Sequence, residues 1–105
     1  MTLKFSDIQE KNLVKGISGK YIHTENNTVG YIEIKNGAVL PAHSHIHEQI
    51  TQVISGKLEM TIDGVTQILE SGSITIIPSN SVHSAFAHTD CIVIDTFFPV
   101  REDYK

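Results

Sequence analysis

The chain has 105 residues and a mass of 11.6 kDa, enough for one domain with a modest core and too few for two. Its 40% apolar and 19% charged residues exclude a disordered polymer. A net charge of -4, a pI near 5.8 and no Lys/Arg cluster argue against nucleic acid or an anionic membrane as partner, and no apolar run is long enough to span a bilayer.

The opening residues, MTLKFSDIQEKNLVKG, carry a lysine but no apolar core followed by small residues, so no secretory leader is expected. Residues 6–15 are the one stretch that could hold a helical turn. From there the chain becomes a succession of short strands and turns. GKYIHTENN and TVGYIEIKNG read as two strands, separated at Asn26-Asn27 and ended by Asn36-Gly37. AVLPAHSH and EQITQVISG follow, then KLEMTIDG, which ends at Asp63-Gly64. VTQILESG, SITIIPSN, VHSAFAHTD and CIVIDTFFP complete about nine strands at intervals of roughly ten residues, the spacing of an all-β sandwich or barrel. Leu58, Met60 and Ile62 alternate with Lys57, Glu59 and Thr61, so that strand has one buried face. Closure into a barrel or a double sheet would also hide the strand edges.

The single cysteine, Cys91, lies in an apolar strand pattern with nothing basic beside it. It reads as a buried structural thiol rather than a nucleophile. One free thiol and no leader together favour the cytoplasm.

The chemistry concentrates at the histidines. His43 and His45, one residue apart on a predicted strand, should project to the same face, with Gln49 four residues further on and His83 on a later strand. Two imidazoles at that spacing can chelate one ion, and a third imidazole with an amide oxygen would complete a partly open shell. Six histidines scattered over a surface would be the plain alternative; the spacing argues against it. His47 is expected outside the set, at its rim, because the strand must turn to deliver Gln49. His23 and His88 belong to no motif and are expected at the surface or a strand edge.

Gly37-(x5)-His43-x-His45-(x3)-Gln49-(x6)-Gly56 resembles the first motif of the cupins, with Gln where that family commonly has Glu. Gly72-(x5)-Pro78-x-Asn80-(x2)-His83 resembles the second, with Asn80 replacing the usual Gly and Ala87 where the pattern ends in Asn. The resemblance implies a single cupin domain over residues 1–105, a small jelly-roll barrel with motif one at 37–56 and motif two at 72–87. The glycines and Pro78 are read as turn residues that position the site without touching it. A neutral Gln49 in place of a carboxylate would leave a divalent ion its full charge, and so a stronger Lewis acid; its alternative role is barrel lining.

HSHIHEQ, ISGKLEMTIDG and the tail IDTFFPVREDY are further similar to the KdgF-type cupins of pectin and alginate breakdown, although many of those carry Pro at the position of Ile46. That resemblance implies His43, His45, Gln49 and His83 as ligands of one divalent transition ion (Ni, Zn, Fe, Co or Mn). It implies Asp95, Phe97 and Arg101 as active residues, a small acidic sugar as substrate, and a homodimer. The implied reaction is linearisation of 4,5-unsaturated uronates to open-chain 4-deoxy-5-keto uronates. The residues alone leave other readings open. Cys91, Val93, Asp95 and Phe97 share one face of an apolar strand, so Asp95 either faces the metal pocket or pairs with Arg101 or a backbone amide. Arg101 is either a carboxylate clamp at the barrel mouth or an exposed charge. Phe97, Met60 and Tyr21 either wall the cavity or fill the core. A metal-dependent dioxygenase and a non-catalytic small-molecule sensor remain the rival functions.

Overall fold

The computed structural model describes residues 1–105 and contains ten strands and two short 3-10 turns. The strands are β1 (Lys11–Val14), β2 (Ile17–His23), β3 (Thr28–Ile34), β4 (Val39–His43) and β5 (Glu48–Ser55). They continue with β6 (Leu58–Ile62), β7 (Val65–Leu69), β8 (Ile74–Ile77), β9 (His83–Ala87) and β10 (Cys91–Phe98). All pairings are antiparallel. A six-stranded sheet runs β1-β2-β3-β10-β5-β8, and a four-stranded sheet runs β4-β9-β6-β7. The all-β double sheet expected from the strand spacing is therefore present, and no helix is long and apolar enough to cross a membrane.

The stretch 6–15 meets expectation only at its start: a 3-10 turn covers Phe5–Asp7, but Lys11–Val14 is a strand, and a second turn falls at Glu102–Tyr104. Four residues are too few to offset the cost of nucleating a helix, whereas an edge strand gains β2 as a ready partner. Leu13 turns inward and packs on the core while Asn12 and Val14 stay exposed, a period of two.

Period-two patterning also builds the core. On β10, Cys91, Val93 and Phe97 are buried while Ile92 and Phe98 face out; on β6, Leu58 and Met60 are buried. With Ile32, Val53 and Ile77 from the large sheet, each such side chain contributes about 1.5–3 kcal/mol by leaving water. Cys91 is a core thiol, as expected, and its Sγ lies 3.3 Å from the Lys57 carbonyl, which accepts its weak hydrogen bond. Asp63 (φ 48°) and Gly64 (φ 82°) form the two-residue hairpin between β6 and β7, where both central residues must take positive φ. Asn80 has φ 66°, and asparagine is the residue that best tolerates this region after glycine. That accounts for Asn where the second motif usually has Gly.

Gly56, in the turn between β5 and β6, combines a φ of 93° with a crowded site: a Cβ there would run into the Asp90 carbonyl and come within 2.8 Å of Cys91 Sγ. Gly37 has a similar φ of 84° but nothing within 4 Å. Gly37→Ala should cost about 1 kcal/mol from backbone strain alone, and Gly56→Ala should cost at least about 2–3 kcal/mol, because strain and collision add. Chemical denaturation of the two variants checks this; equal losses would show that the turn yields to a side chain.

Candidate metal centre

The site forms at one end of the barrel, where residues from both sheets face each other. On the small sheet, His43 closes β4 and His83 opens β9, and the antiparallel register sets them opposite one another. Their ring centroids lie 4.2 Å apart. His45 lies past the end of β4, so alternation along one strand does not bring it to His43, contrary to the sequence reading. The chain is there leaving the small sheet for β5 of the large one. The corner is held by backbone bonds: Asn80 N–H donates to the His45 carbonyl at 2.8 Å, and the Ser79 hydroxyl donates to that of Ile46. The His45 ring still reaches His83, at 4.9 Å between centroids.

Each imidazole is oriented through the same nitrogen. Nδ1 of His43 bonds to the Pro41 carbonyl at 2.8 Å, that of His45 to the His47 carbonyl at 2.9 Å, and that of His83 to the Ser81 carbonyl at 2.9 Å. A carbonyl only accepts, so Nδ1 carries a proton, and it is Nε2 that bears the lone pair whenever the ring is neutral. Nε2 of His45 and of His83 are buried without any hydrogen-bond partner, a costly state for a polar atom. One ring nitrogen from each of His43, His45 and His83 lies within 4.8 Å of the others. Burial foremost, with Arg101 and His83 next, pushes His45 down to about 4, and burial likewise lowers His83. Neutral imidazoles with converging free lone pairs fit a borderline divalent cation. His47 also has a buried, unpartnered Nδ1, but its ring is outside the converging set. It lies at the rim as expected, 5.4 Å from His45 and 6.4 Å from Phe97 between centroids.

The large sheet supplies the opposite wall. Gln49 and Thr51 on β5 and Asp95 and Phe97 on β10 point inward, with Thr51 paired to Asp95 and Gln49 to Phe97. Gln49 is 5% exposed and lines the same cavity as the three histidines. Asp95 accepts a hydrogen bond from the Thr51 hydroxyl at 2.7 Å and makes no ion pair with Arg101, so the structural Asp95–Arg101 pair is absent. Asp95 as a whole residue is half-buried, and it lines the cavity. Burial pushes it up to about 6, against the lowering effects of the Thr51 and Gln49 donors and the Arg101 charge. Gly30 faces Asp95 on one side and Tyr21 on the other; a Cβ there would lie 2.6 Å from the Tyr21 ring. Its missing side chain lets Tyr21 lie across β3 beside the acid. Tyr21 and Met60 are both core and cavity wall.

Arg101 is not the exposed charge a near-terminal position suggested: it is 6% exposed. Its guanidinium lies 4.8 Å from the Phe97 ring and 3.9 Å from the Tyr104 ring, and Nε and Nη2 bond Asp103 at 2.9 and 2.7 Å. The fold-back of the tail explains this burial. Thr28 Oγ1 accepts from the Arg101 N–H at 2.8 Å and bonds His23 Nδ1 at 2.8 Å, while His23 Nε2 and Lys11 Nζ reach the Tyr104 carbonyl. His23 therefore anchors the tail rather than idling at a strand edge; His88 is exposed beside Glu59, as expected. Sequence reasoning passed over Thr51, Thr28 and Tyr104. Thr51 was within reach, since it follows Gln49 by two residues on one strand.

The result is a cavity of about 60 Å³ lined by the three histidines, Gln49, Asp95 and Arg101 among others. Comparison with known proteins fits this arrangement. Residues 30–97 match the family model of the cupin domain. The pectin degradation protein KdgF of Dickeya dadantii is 33% identical over 75 residues, covering 70% of this chain and 68% of the relative. The solved structure of KdgF from a Halomonas species superposes with a TM-score of 0.90 at 30% identity, over 97% of this chain and 96% of that one. An RmlC-like cupin from Shewanella frigidimarina superposes at 0.92 with 27% identity, over 98% and 94%. With two facing sheets, three converging histidines and these relatives, the chain belongs to the cupin family, as a KdgF-like single-domain member.

Proposed function

We propose that this protein is a metal-dependent enzyme of pectin and alginate breakdown that linearises 4,5-unsaturated uronate monosaccharides to open-chain 4-deoxy-5-keto uronates. The observation that carries the reading is the meeting of three free imidazole nitrogens, a buried acid and a buried guanidinium on one cavity, in a chain similar to two KdgF proteins. His43, His45, His83 and Gln49 would hold the ion. When bound, a divalent cation there supplies Lewis acidity toward the sugar's oxygens.

The reaction is an isomerisation, so the protein's task is to place the sugar and move protons. The C1 hydroxyl loses its proton as the C1–O5 bond breaks. O5 becomes an enol oxygen at C5, and the enol gives up that proton while C4 gains one. Asp95 is the group for the C4 proton: a carboxyl raised to about 6 is held close to the point where it both gives and takes protons near neutrality. Arg101 offers its end-on edge to the uronate carboxylate. Its Nε–Nη2 edge is taken by Asp103, which, with the stacked Phe97 and Tyr104 rings, fixes the plane of the guanidinium. The sugar would enter with its reacting edge toward the histidines and Asp95, which line one cavity.

The partner most consistent with the surface is a second copy. On the outer face of the six-stranded sheet, Ile50, Ile54, Ile74, Ile76, Ile92 and Phe98 are 38–66% exposed and lie on the adjacent strands β8, β5 and β10. The N-terminal turn covers only the other half of that face, through Phe5 on Tyr31 and Lys20. The uncovered side chains expose on the order of 600 Å² of apolar surface, close to the roughly 800 Å² per partner that a stable dimer buries. A monomeric mass by sedimentation at micromolar concentration would remove this partner. The buried free Cys91 supports a reducing, cytoplasmic setting.

Metal-loaded protein should speed the loss of conjugated-alkene absorbance from lyase-generated monomers, and chelation should stop it. No acceleration over the spontaneous rate refutes the reaction. In the same assay Asp95→Asn should lower turnover by about 10²-fold or more while leaving metal content unchanged. Because burial raises this acid's pKa above its unfolded value of 3.8, ionising it in the fold costs stability as pH rises from 3.8 through about 6. Metal-free Asp95→Asn should therefore be more stable than the unaltered chain at pH 8, by about 1–2 kcal/mol, and the difference should vanish below pH 4. Equal denaturation midpoints at both pH values would show that the acid is not strained.

A further inference from the structure

Gln49, Thr51 and Asp95 form a chain of hydrogen bonds whose direction is fixed while Asp95 is a carboxylate. Gln49 Nε2 donates to Thr51 Oγ1 at 2.9 Å, and Thr51 Oγ1 donates to Asp95 Oδ1 at 2.7 Å. Thr51 is 1% and Gln49 5% exposed, so water does not substitute freely for either bond. A carboxylate only accepts, and a hydroxyl has one proton to give. Once the Thr51 proton goes to Asp95, its oxygen meets Gln49 only as an acceptor, so Gln49 must present its NH₂ group. The network, rather than the near-identical shapes of amide O and N, decides the orientation. Oε1 is then the free end of the amide, on a side chain lining the same cavity as the three histidines.

The same logic accounts for glutamine at this position. A glutamate at 49 has no proton for Thr51 and would set a second negative charge beside a buried acid, with one hydroxyl proton between two carboxylates. An inward acid at 95 and a neutral amide at 49 therefore go together, and Thr51 is the link between them. Serine alone among the other side chains would keep that hydroxyl at β-carbon reach. Valine would fill the same volume and sever the link.

We infer that Thr51 is a positioning residue of the metal centre: by handing its proton to Asp95 it turns the Gln49 amide so that the oxygen, not the nitrogen, is available to the ion. This rests on the reading of Gln49 as a ligand. Such supporting partners behind a ligand are typically worth one to two orders of magnitude in metal affinity. In Thr51→Val the amide loses its 2.9 Å bond and keeps only the weaker pull of Asp95 to hold its orientation, so its N–H groups can turn to the cavity in place of the oxygen.

The test uses cobalt(II) alone, titrated into the metal-free full-length chain against a chromophoric chelator, with the visible spectrum reporting the ligand set. Thr51→Val should bind cobalt roughly tenfold more weakly with a changed spectrum, and Thr51→Ser should stay within about threefold of the unaltered chain. In a Gln49→Leu background, Thr51→Val should cause no further loss, because the hydroxyl acts only through the amide. Unfolding midpoints of the metal-free variants report that Thr51→Val and Thr51→Ser fold. Cobalt affinity of Thr51→Val equal to that of the unaltered chain, or an additive loss in the Gln49→Leu background, overturns the relay. Gln49→Leu binding as tightly as the unaltered chain removes Gln49 from the ligands and the relay with it; a weak Gln49→Leu beside an unaffected Thr51→Val overturns the relay alone.

Discussion

The arrangement that the rest of the site depends on is the set of three imidazole–carbonyl bonds. Each ties Nδ1 to a backbone carbonyl two residues away and leaves Nε2 bare. Two of those bare nitrogens are buried with nothing to bond, a cost of about 1–3 kcal/mol each in a metal-free fold. A protein core seldom keeps such atoms unless something else engages them. Three converging lone pairs fit a divalent cation, and the backbone, being part of the barrel, holds the rings in place by itself.

The two sheets divide the chemistry between them. The small sheet and its exit corner carry the three converging histidines His43, His45 and His83. The large sheet carries the acid, with Gln49 and Thr51 between acid and histidines. The charged groups thus stand on walls built by different strands, which keeps Asp95 out of direct ion pairing and leaves its carboxyl tunable by burial. The C-terminal tail closes the third side, and its position depends on Thr28 and His23, paired on the neighbouring strands β3 and β2.

Much of this was legible in the sequence because it is local. Strand spacing and alternation give the all-β class and the inward row Cys91, Val93, Asp95, Phe97, and motif spacing gives the histidines. What was not legible is set by distant pairing. The His43–His83 juxtaposition comes from a register between strands forty residues apart, and His45 reaches the site from a corner rather than from the strand. Whether Arg101 is a clamp or a solvated charge is undecided in the sequence, because its burial depends on Thr28, seventy-three residues earlier, accepting its backbone N–H. Lys11–Val14 reads as helix-capable in isolation and becomes a strand only because β2 lies beside it.

The most direct test of the account is metal stoichiometry with the histidines varied one at a time. After exposure to excess divalent metal and desalting, the unaltered chain should retain one ion per chain, and His43→Ala, His45→Ala and His83→Ala should each retain far less while unfolding cooperatively when metal-free. An unaltered chain that keeps no ion, or a His83→Ala variant that keeps as much, would contradict it.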